Sequence, residues 1–370
     1  MGQAPPGDTC NHDGQGTPFV KAGEFGVSRP VIREWTTRPL QLAKSTDVLV
    51  CVVGATSGKV NLGADCAIGR SVAAVRPIYD QLDQGFAYHF LKTQTLRLRG
   101  GSQGSAQGVL TRGMLAGLEM PDLPMSEQRR IAAILDKADA IRRKRQEAIG
   151  LTEQLLRSTF LELFGDPVTN PRGWPVKLLR EIALVTGGLQ VTEKRSALPV
   201  EVPYLRVANV YRDELNLKEV KLIKVTKQEL GRAQLAAGDI LIVEGHGNAD
   251  EIGRAALWDG SITPCVHQNH LIRVSANPEA VHPDYLNAFV NSAAGRRHMQ
   301  RMGKTTSGLN TISTENVRSM GVLLPPLELQ KRFANRICST RSFLQKQRGI
   351  FACSEKLFNC LVQRAFSGQL

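Results

Sequence analysis

No CxxC pair occurs among the seven cysteines, and their odd number leaves no complete pairing. A secreted disulfide scaffold is a poor fit; reduced thiols in a cytoplasmic chain are expected. No run approaches the roughly 18 apolar residues of a membrane span, so no membrane partner is expected. The opening MGQAPPGDTCNHDGQG is polar, rich in Gly and Pro, and without the apolar segment of a signal peptide.

What is present is length, apolar content and positive charge. The 370 residues are 42% hydrophobic, enough for two or three domains with real cores. The formal net charge is +13. Such an excess attracts polyanions, of which nucleic acid is the commonest. Its densest part is 326–370, with a net of +6. There Lys331, Arg332, Arg336 and Arg341 suit DNA phosphates, an acidic partner, or a plainly solvated helix face, and the pattern does not choose among these.

The chain repeats itself. Gly101–Phe164 lies over Gly303–Phe366 without a gap at a constant shift of 202 residues. Ser105 falls on Ser307, Leu110 on Ile312, Pro124 on Pro326, Gln128 on Gln330 and Phe164 on Phe366. Upstream the likeness continues with gaps. Pro18-Phe19-Val20-Lys21 matches Pro203-Tyr204-Leu205-Arg206, Asp47-Val48-Leu49-Val50 matches Asp239-Ile240-Leu241-Ile242, and Cys66 and Val75 match Cys265 and Val274.

Each copy has two parts. Short apolar runs, DVLVCVVG (47–54) and GDILIVEG (238–245), read as buried strands between Gly and polar turns. A long helical pattern follows. The first begins after Pro124 with Ser126 as N-cap and stops at Gly165-Asp166-Pro167; the second follows Pro325-Pro326 and ends at Ser367-Gly368. About 38 residues at ~1.5 Å each give rods of roughly 57 Å. Phe333, Ile337, Thr340, Leu344, Gln347, Phe351, Ser354, Phe358 and Leu361 keep 4-3 spacing, as do Ile131, Leu135, Ala138, Arg142, Arg145, Ile149, Thr152, Leu156 and Thr159. That is a coiled-coil seam. Its polar members Arg142, Arg145 and Gln347 either set register or meet another subunit. The expected fold is α+β, with two similar α/β domains joined and spaced by two long antiparallel helices in a pseudo-two-fold repeat.

These residues resemble a known family. LPMSEQRRIAAILDKADAIRRKR (123–145), LLRSTFLELFGDP (155–167), NPRGWPVKLLREI (170–182) and LLPPLELQKRFANRI (323–337) are similar to the central conserved regions of type I restriction-modification specificity subunits. GTPFVKAGEFG (16–26), DVLVCVVGATSGKV (47–60) and CAIGRSVAAVRP (66–77) resemble a target-recognition domain of that family. The resemblance covers essentially the whole chain, and the duplicated order of the motifs makes it specific. It implies 1–125 as a first recognition domain, 126–165 as a first spacer helix, 166–325 as a second recognition domain and 326–370 as a second spacer helix. It implies a non-catalytic subunit that reads a split double-stranded DNA target and docks two methyltransferase subunits and restriction/translocase subunits. S-adenosylmethionine, ATP and magnesium are then expected only on those partners. Two heads on one face of a duplex stand near one turn apart, about 34 Å, which such rods suit.

One departure matters. By the Pro18/Pro203 register, Met1 falls opposite Thr186, so the first copy lacks the counterpart of Trp174–Val185. The first domain is therefore expected to be truncated at its N-terminal side. A degenerate copy that serves only as a protein scaffold, with at most half-site recognition, is the alternative. A recognition half separated from a fused catalytic part is a further one.

Candidate chemistry is sparse. Gly54-Ala-Thr-Ser-Gly58-Lys59 is one residue short of a phosphate loop and continues with Val60, not Ser or Thr, so no nucleotide site is expected. Cys265, His267 and His270 form CxHxxH without a fourth ligand, and no metal is expected. Asp239 and Glu244 flank an apolar run as in some nucleases, but Gly245-His246 stands where a lysine is needed. NPPF and DPPY, which accompany base methylation, are absent. The expected DNA contacts are polar and basic residues near Gly-rich loops: Lys21, Lys59 and Arg70 in the first domain, and Arg206, His246, Asn248, Lys304, Thr305 and Ser307 in the second. Asn248 suits adenine and Arg206 guanine in the major groove.

Overall fold

The two apolar runs become the central strands of two separate sheets, each strand buried on both faces. The computed structural model describes residues 1–101, 109–306 and 309–370; Ser105 and Ser307 lie outside them. Two long helices, Met125–Phe164 and Leu327–Phe366, dominate the element order. Among the described residues no helix is long and apolar enough to cross a membrane. The chain forms two units, Met1–Ile149 with Gln347–Leu370, and Gly150–Lys346. These cut across the four expected segments, because each long helix packs one half into each unit.

In the first unit the strands are β1 (Thr17–Val20), β2 (Val48–Cys51), β3 (Val60–Leu62), β4 (Cys66–Ile68) and β5 (Val72–Val75). β2 is antiparallel to β3 and β5, with Val48 opposite Leu62 and Val75. β1 runs parallel to β4, Phe19 opposite Ala67. One face of β2 packs Val48 and Val50 under Phe90 and Leu91 of helix α1 (Gln84–Thr93). The other packs Leu49 and Cys51 against Val20, Cys66 and Ile68. Burial on both faces explains an apolar run without alternation.

The second unit repeats the plan with additions. Its strands are β6 (Val176–Leu178), β7 (Ala183–Gly187), β8 (Val200–Leu205), β9 (Ile240–Val243), β10 (Gly245–His246), β11 (Ala255–Leu257), β12 (Val266–His267) and β13 (Leu271–Ala276). Helices α2 (Pro283–Asn291) and α3 (Ala293–Met302) follow, then β14 (Lys304–Thr306), β15 (Leu309–Thr311) and β16 (Gly321–Leu323). β9 lies between β11 and β13, Ile240 opposite Leu257 and Val274. β8 is parallel to β12, Tyr204 opposite Val266. The residues matched along the sequence thus hold the same ladder positions in both units.

β7 adds a fourth strand, from Ala183 opposite Ala276 to Gly187 opposite Ile272, and β6 pairs with β16. The described residues of the first unit supply no counterpart to either. At the equivalent place Gly2 N donates to Val72 O (2.8 Å) and Gln3 N to Ile68 O (2.9 Å), the latter mirrored by Leu189 N to His267 O (2.9 Å). Gln3 therefore matches Leu189, and Met1 stands opposite Gly187 rather than Thr186. One extra residue between Gln3 and Phe19 shifts the register. Gly2 and Gly188 match as well: a Cβ on either would strike the backbone carbonyl of Gly69 or Gln268.

The long helices meet along the expected seam, none of whose 4-3 positions is exposed. In the first unit Ile131 and Leu135 pack with Phe358, Leu361 and Phe366. In the second, Phe160 and Phe164 pack with Phe333 and Ile337. Early residues of one helix meet late residues of the other, so the halves run antiparallel within each unit. The seam arginines cross it. Arg142 bonds Asp139 (2.7 Å) and Glu355 (2.9 Å) and lies 5.2 Å from the Phe358 ring centroid. Arg145 donates to Ser354 Oγ. Both side chains therefore bond across the seam within this chain.

A buried glutamine ties each helix start to its own domain. Gln128 accepts from Asp83 N (2.9 Å) and donates to Gln81 O (2.9 Å) and Leu123 O (2.8 Å). Gln330 accepts from His282 N (2.8 Å) and donates to Pro325 O (2.8 Å). Asp83 and His282 are the N-caps of α1 and α2. Gln330→Leu strands two buried backbone groups, and a loss of about 1–3 kcal/mol is expected. Urea unfolding should show it as a lower midpoint at unchanged slope; an unchanged midpoint would mean that these bonds contribute nothing.

Candidate nucleic-acid interface

In the first unit the parallel β1–β4 pair brings Lys21 and Arg70 to the same strand ends. Ala22 N donates to Ser71 Oγ (3.0 Å), holding these ends together. Lys21 Nζ pairs with Glu34, whose carboxylate raises the lysine pKa, and lies 5.5 Å from the Phe19 ring centroid. Arg70 is exposed and has no partner among the described residues. Lys59 is exposed along its stem, yet its Nζ donates to Phe25 O (2.7 Å). Gly54 and Gly58, at φ +78° and +81°, shape the turn before it. Arg99 Nε donates to Ser57 O (2.8 Å) and holds that turn closed.

In the second unit a small sheet in the order β10–β15–β14 gathers several expected contacts. His246 and Thr305 both stand opposite Asn310, and Lys304 stands opposite Thr311. Asn248 follows directly; its N donates to His246 Nδ1 (3.0 Å) and its Oδ1 accepts from Asp250 N (2.9 Å), so the turn is held by its own side chains. Lys304 is exposed. Arg206 lies apart, at the end of β8, and pairs with Glu219 (3.0 Å) while its buried Nε has no partner. It holds the position that Lys21 holds after β1, and each is met by a glutamate.

The cysteine–histidine motif does not converge. Cys265 is buried in the cluster of Trp258 and Leu271, and burial pushes its thiol up to about 12. His267 is fully buried, with Nδ1 3.3 Å from Ala233 O and Nε2 without a partner. His270 is exposed and pairs with Glu244 (3.1 Å). Asp239 is buried and serves its own turn, accepting from Ala236 N (2.8 Å) and Ser275 Oγ. Among the described residues no group of three His, Cys, Asp or Glu is placed to hold a metal ion.

The basic start of the second long helix meets the chain's own acids. Lys331 pairs with Glu328 (2.7 Å), Arg336 with both oxygens of Glu162 (3.0 and 3.1 Å), and Arg341 with Asp284. Arg332 is exposed. Sequence reasoning passed over a different group: Arg296, Arg297 and Arg301 of α3 are all exposed. The signal was the run AAGRRHMQRM, basic with no acid inside it.

Residues 2–151 match the family described as the type I restriction modification DNA specificity domain. The type I restriction enzyme EcoKI specificity subunit of Escherichia coli (strain K12) is 25% identical over 343 residues, 86% of this chain and 72% of that protein. The StySPI specificity subunit of Salmonella potsdam is 23% identical over 338 residues, with the same shares of 86% and 72%. In fold, the chain is similar to the crystal structure of a type I restriction-modification system S subunit from M. genitalium. The TM-score is 0.62 at 16% identity, covering 99% of this chain and 92% of that one.

His267 makes the second unit sensitive to acid. Burial lowers its pKa from 6.5 to about 4. Below about pH 6.5 the unfolded chain takes up a proton that the folded one refuses, so stability is full above that value and falls toward about pH 4. The loss between about pH 7 and about pH 5 is expected to be about 2 kcal/mol. Urea unfolding of wild type and His267→Gln at both values checks this, the variant showing the smaller pH dependence.

Proposed function

We infer that this chain is a DNA specificity subunit of a type I restriction-modification system, a non-catalytic member of that complex, and that it reads a two-part duplex target, one recognition domain to each half. The observation that carries this reading is the shared plan of the two units. Each has the same buried central strand, the same parallel pair ending in Lys21 or Arg206, and the same glutamine anchor on a long helix. In this reading the polar turn of His246 and Asn248, with Lys304, Thr305 and Ser307, reads one half-site together with Arg206. Lys21, Lys59 and Arg70 act on the other. Phosphate contacts set register, and base-edge contacts set sequence.

The partners in this reading are double-stranded DNA, two methyltransferase subunits and restriction/translocase subunits, in the cytoplasm. S-adenosylmethionine, ATP and magnesium belong to those partners. Docking is supported by the outer side of the last part of the second long helix, where Ile350 and Leu357, seven residues apart, are 44% and 59% exposed. A coiled-coil stripe left open in this way suits a partner helix. A scaffold with only half-site recognition is the second reading, favoured by the three-stranded sheet of the first unit, which has no counterpart of β7 among its described residues.

Selection from random duplexes with the co-expressed methyltransferase subunit, at ~150 mM salt, tests the recognition reading. A split motif is expected; one half alone would favour the second reading, and no enrichment would sink recognition. The double substitution Ile350→Lys, Leu357→Lys is expected to abolish co-purification of the methyltransferase while leaving thermal unfolding close to wild type, because both side chains already face water.

A further inference from the structure

Helix α3 is fixed by its inner side. Met299 is fully buried and packs where a Cβ on Gly253 would collide with it. His298 Nε2 bonds Asn316 O (2.8 Å). That leaves Arg296, Arg297, Gln300 and Arg301 facing water. Gln300 reaches Asp250 Oδ1 (3.1 Å), and Arg212 reaches Asp250 O (2.8 Å), so the outer side of α3 is bonded to the turn that begins at Asn248. At its other end, only Gly303 separates α3 from Lys304 of the small sheet.

The three arginines form a cluster on one helix face, and they differ from the basic residues that an acid already holds. Lys21, Arg206, Arg336 and Arg341 each hold an acid of this chain, namely Glu34, Glu219, Glu162 and Asp284. Arg296, Arg297 and Arg301 make no side-chain bond to a described residue. Like charges gathered on one helix face repel one another, and no acid among the described residues pairs with them. An external polyanion does so, and a guanidinium matches phosphate in shape as well as sign. Arg297 and Arg301, about 6 Å apart along the helix axis, are near the spacing of phosphates two steps apart on one strand, ~7 Å along the duplex axis.

We propose that the outer side of α3, Arg296, Arg297 and Arg301 continued by Lys304, grips the phosphate backbone of duplex DNA beside the bases faced by the His246–Asn248 turn. This rests on the recognition reading and names the surface that supplies its sequence-independent part. The grip gives affinity and orientation; the turn beside it gives selectivity.

The test uses the full chain with its co-expressed methyltransferase subunit. Binding is titrated against salt on a duplex carrying the selected motif and on an unrelated duplex of equal length. The triple substitution Arg296→Gln, Arg297→Gln, Arg301→Gln is expected to weaken both by a similar factor. It should make the slope of log affinity against log salt shallower by about 2 to 3. The triple Lys variant keeps the charge and is expected to retain the wild-type slope, which separates loss of charge from loss of fold. An unchanged slope in the Gln variant overturns the proposal. So does a loss confined to the motif duplex, which would make these arginines base readers, and so does loss of the methyltransferase at unchanged slope, which would make α3 a protein contact. If wild type selects no motif yet the Gln variant still shows the shallower slope, the grip stands and the recognition reading fails.

Discussion

Near the start of each long helix, one glutamine amide leaves the helix and closes backbone groups of the neighbouring domain. The amide is buried, so its donors and acceptor must all be matched, and only one placement of helix against domain matches them. In each unit the bonded amide group caps a domain helix, α1 through Asp83 or α2 through His282. The helix start, the domain helix and the strand layer beneath it thus become one body. The far end of the other long helix then seals that body. Phe366 lies 5.3 Å from Phe86, and Phe164 lies 4.7 Å from Tyr285, ring centre to ring centre. Each helix is anchored by polar bonds at its start and by an aromatic plug at its end.

Charge in this protein falls into two kinds. One set of basic side chains is held by local acids, where it shapes strand ends and the helix seam. Surface pairs of this sort contribute little stability each, but they occupy the donors that a nucleic acid needs. Others are open, among them Arg70 in one unit and the α3 arginines in the other. Formal charge therefore overstates the surface available to a polyanion, and pairing decides where that surface lies.

The periodic features were legible in the sequence. The 202-residue shift, the two-sided strands and the 4-3 seam all depend on side chains a fixed number of positions apart. The equivalence of the strand pairs Val48–Val75 and Ile240–Val274 agrees with the same matches, although the pairing itself was not read from the sequence. The register upstream of Pro18 was not legible, because one added residue in an irregular segment leaves no periodic trace. Nor were the partners of Lys21 and Arg206, since Glu34 and Glu219 are brought in by tertiary folding from 13 residues away in each case. The closely spaced Cys265, His267 and His270 suggested a cluster, but the backbone leaves the first two buried and turns the third outward. The arginines of α3 were overlooked because their helix interrupts a region read as strands and loops.

The open side of β5 carries a last consequence. In the second unit the matching strand continues through Ser275 and Ala276, which pair with Leu184 and Ala183. In the first unit those two places are Arg76 and Pro77. Arg76 folds back onto both oxygens of Asp47 (2.7 Å each), and proline has no N–H to offer a neighbour. Exposed strand edges recruit other edges, and a charge and a proline at the margin are the usual safeguards. The first unit has them at the step where its twin accepts another strand. The margin of this sheet is thus blunted against pairing with the edge of another strand.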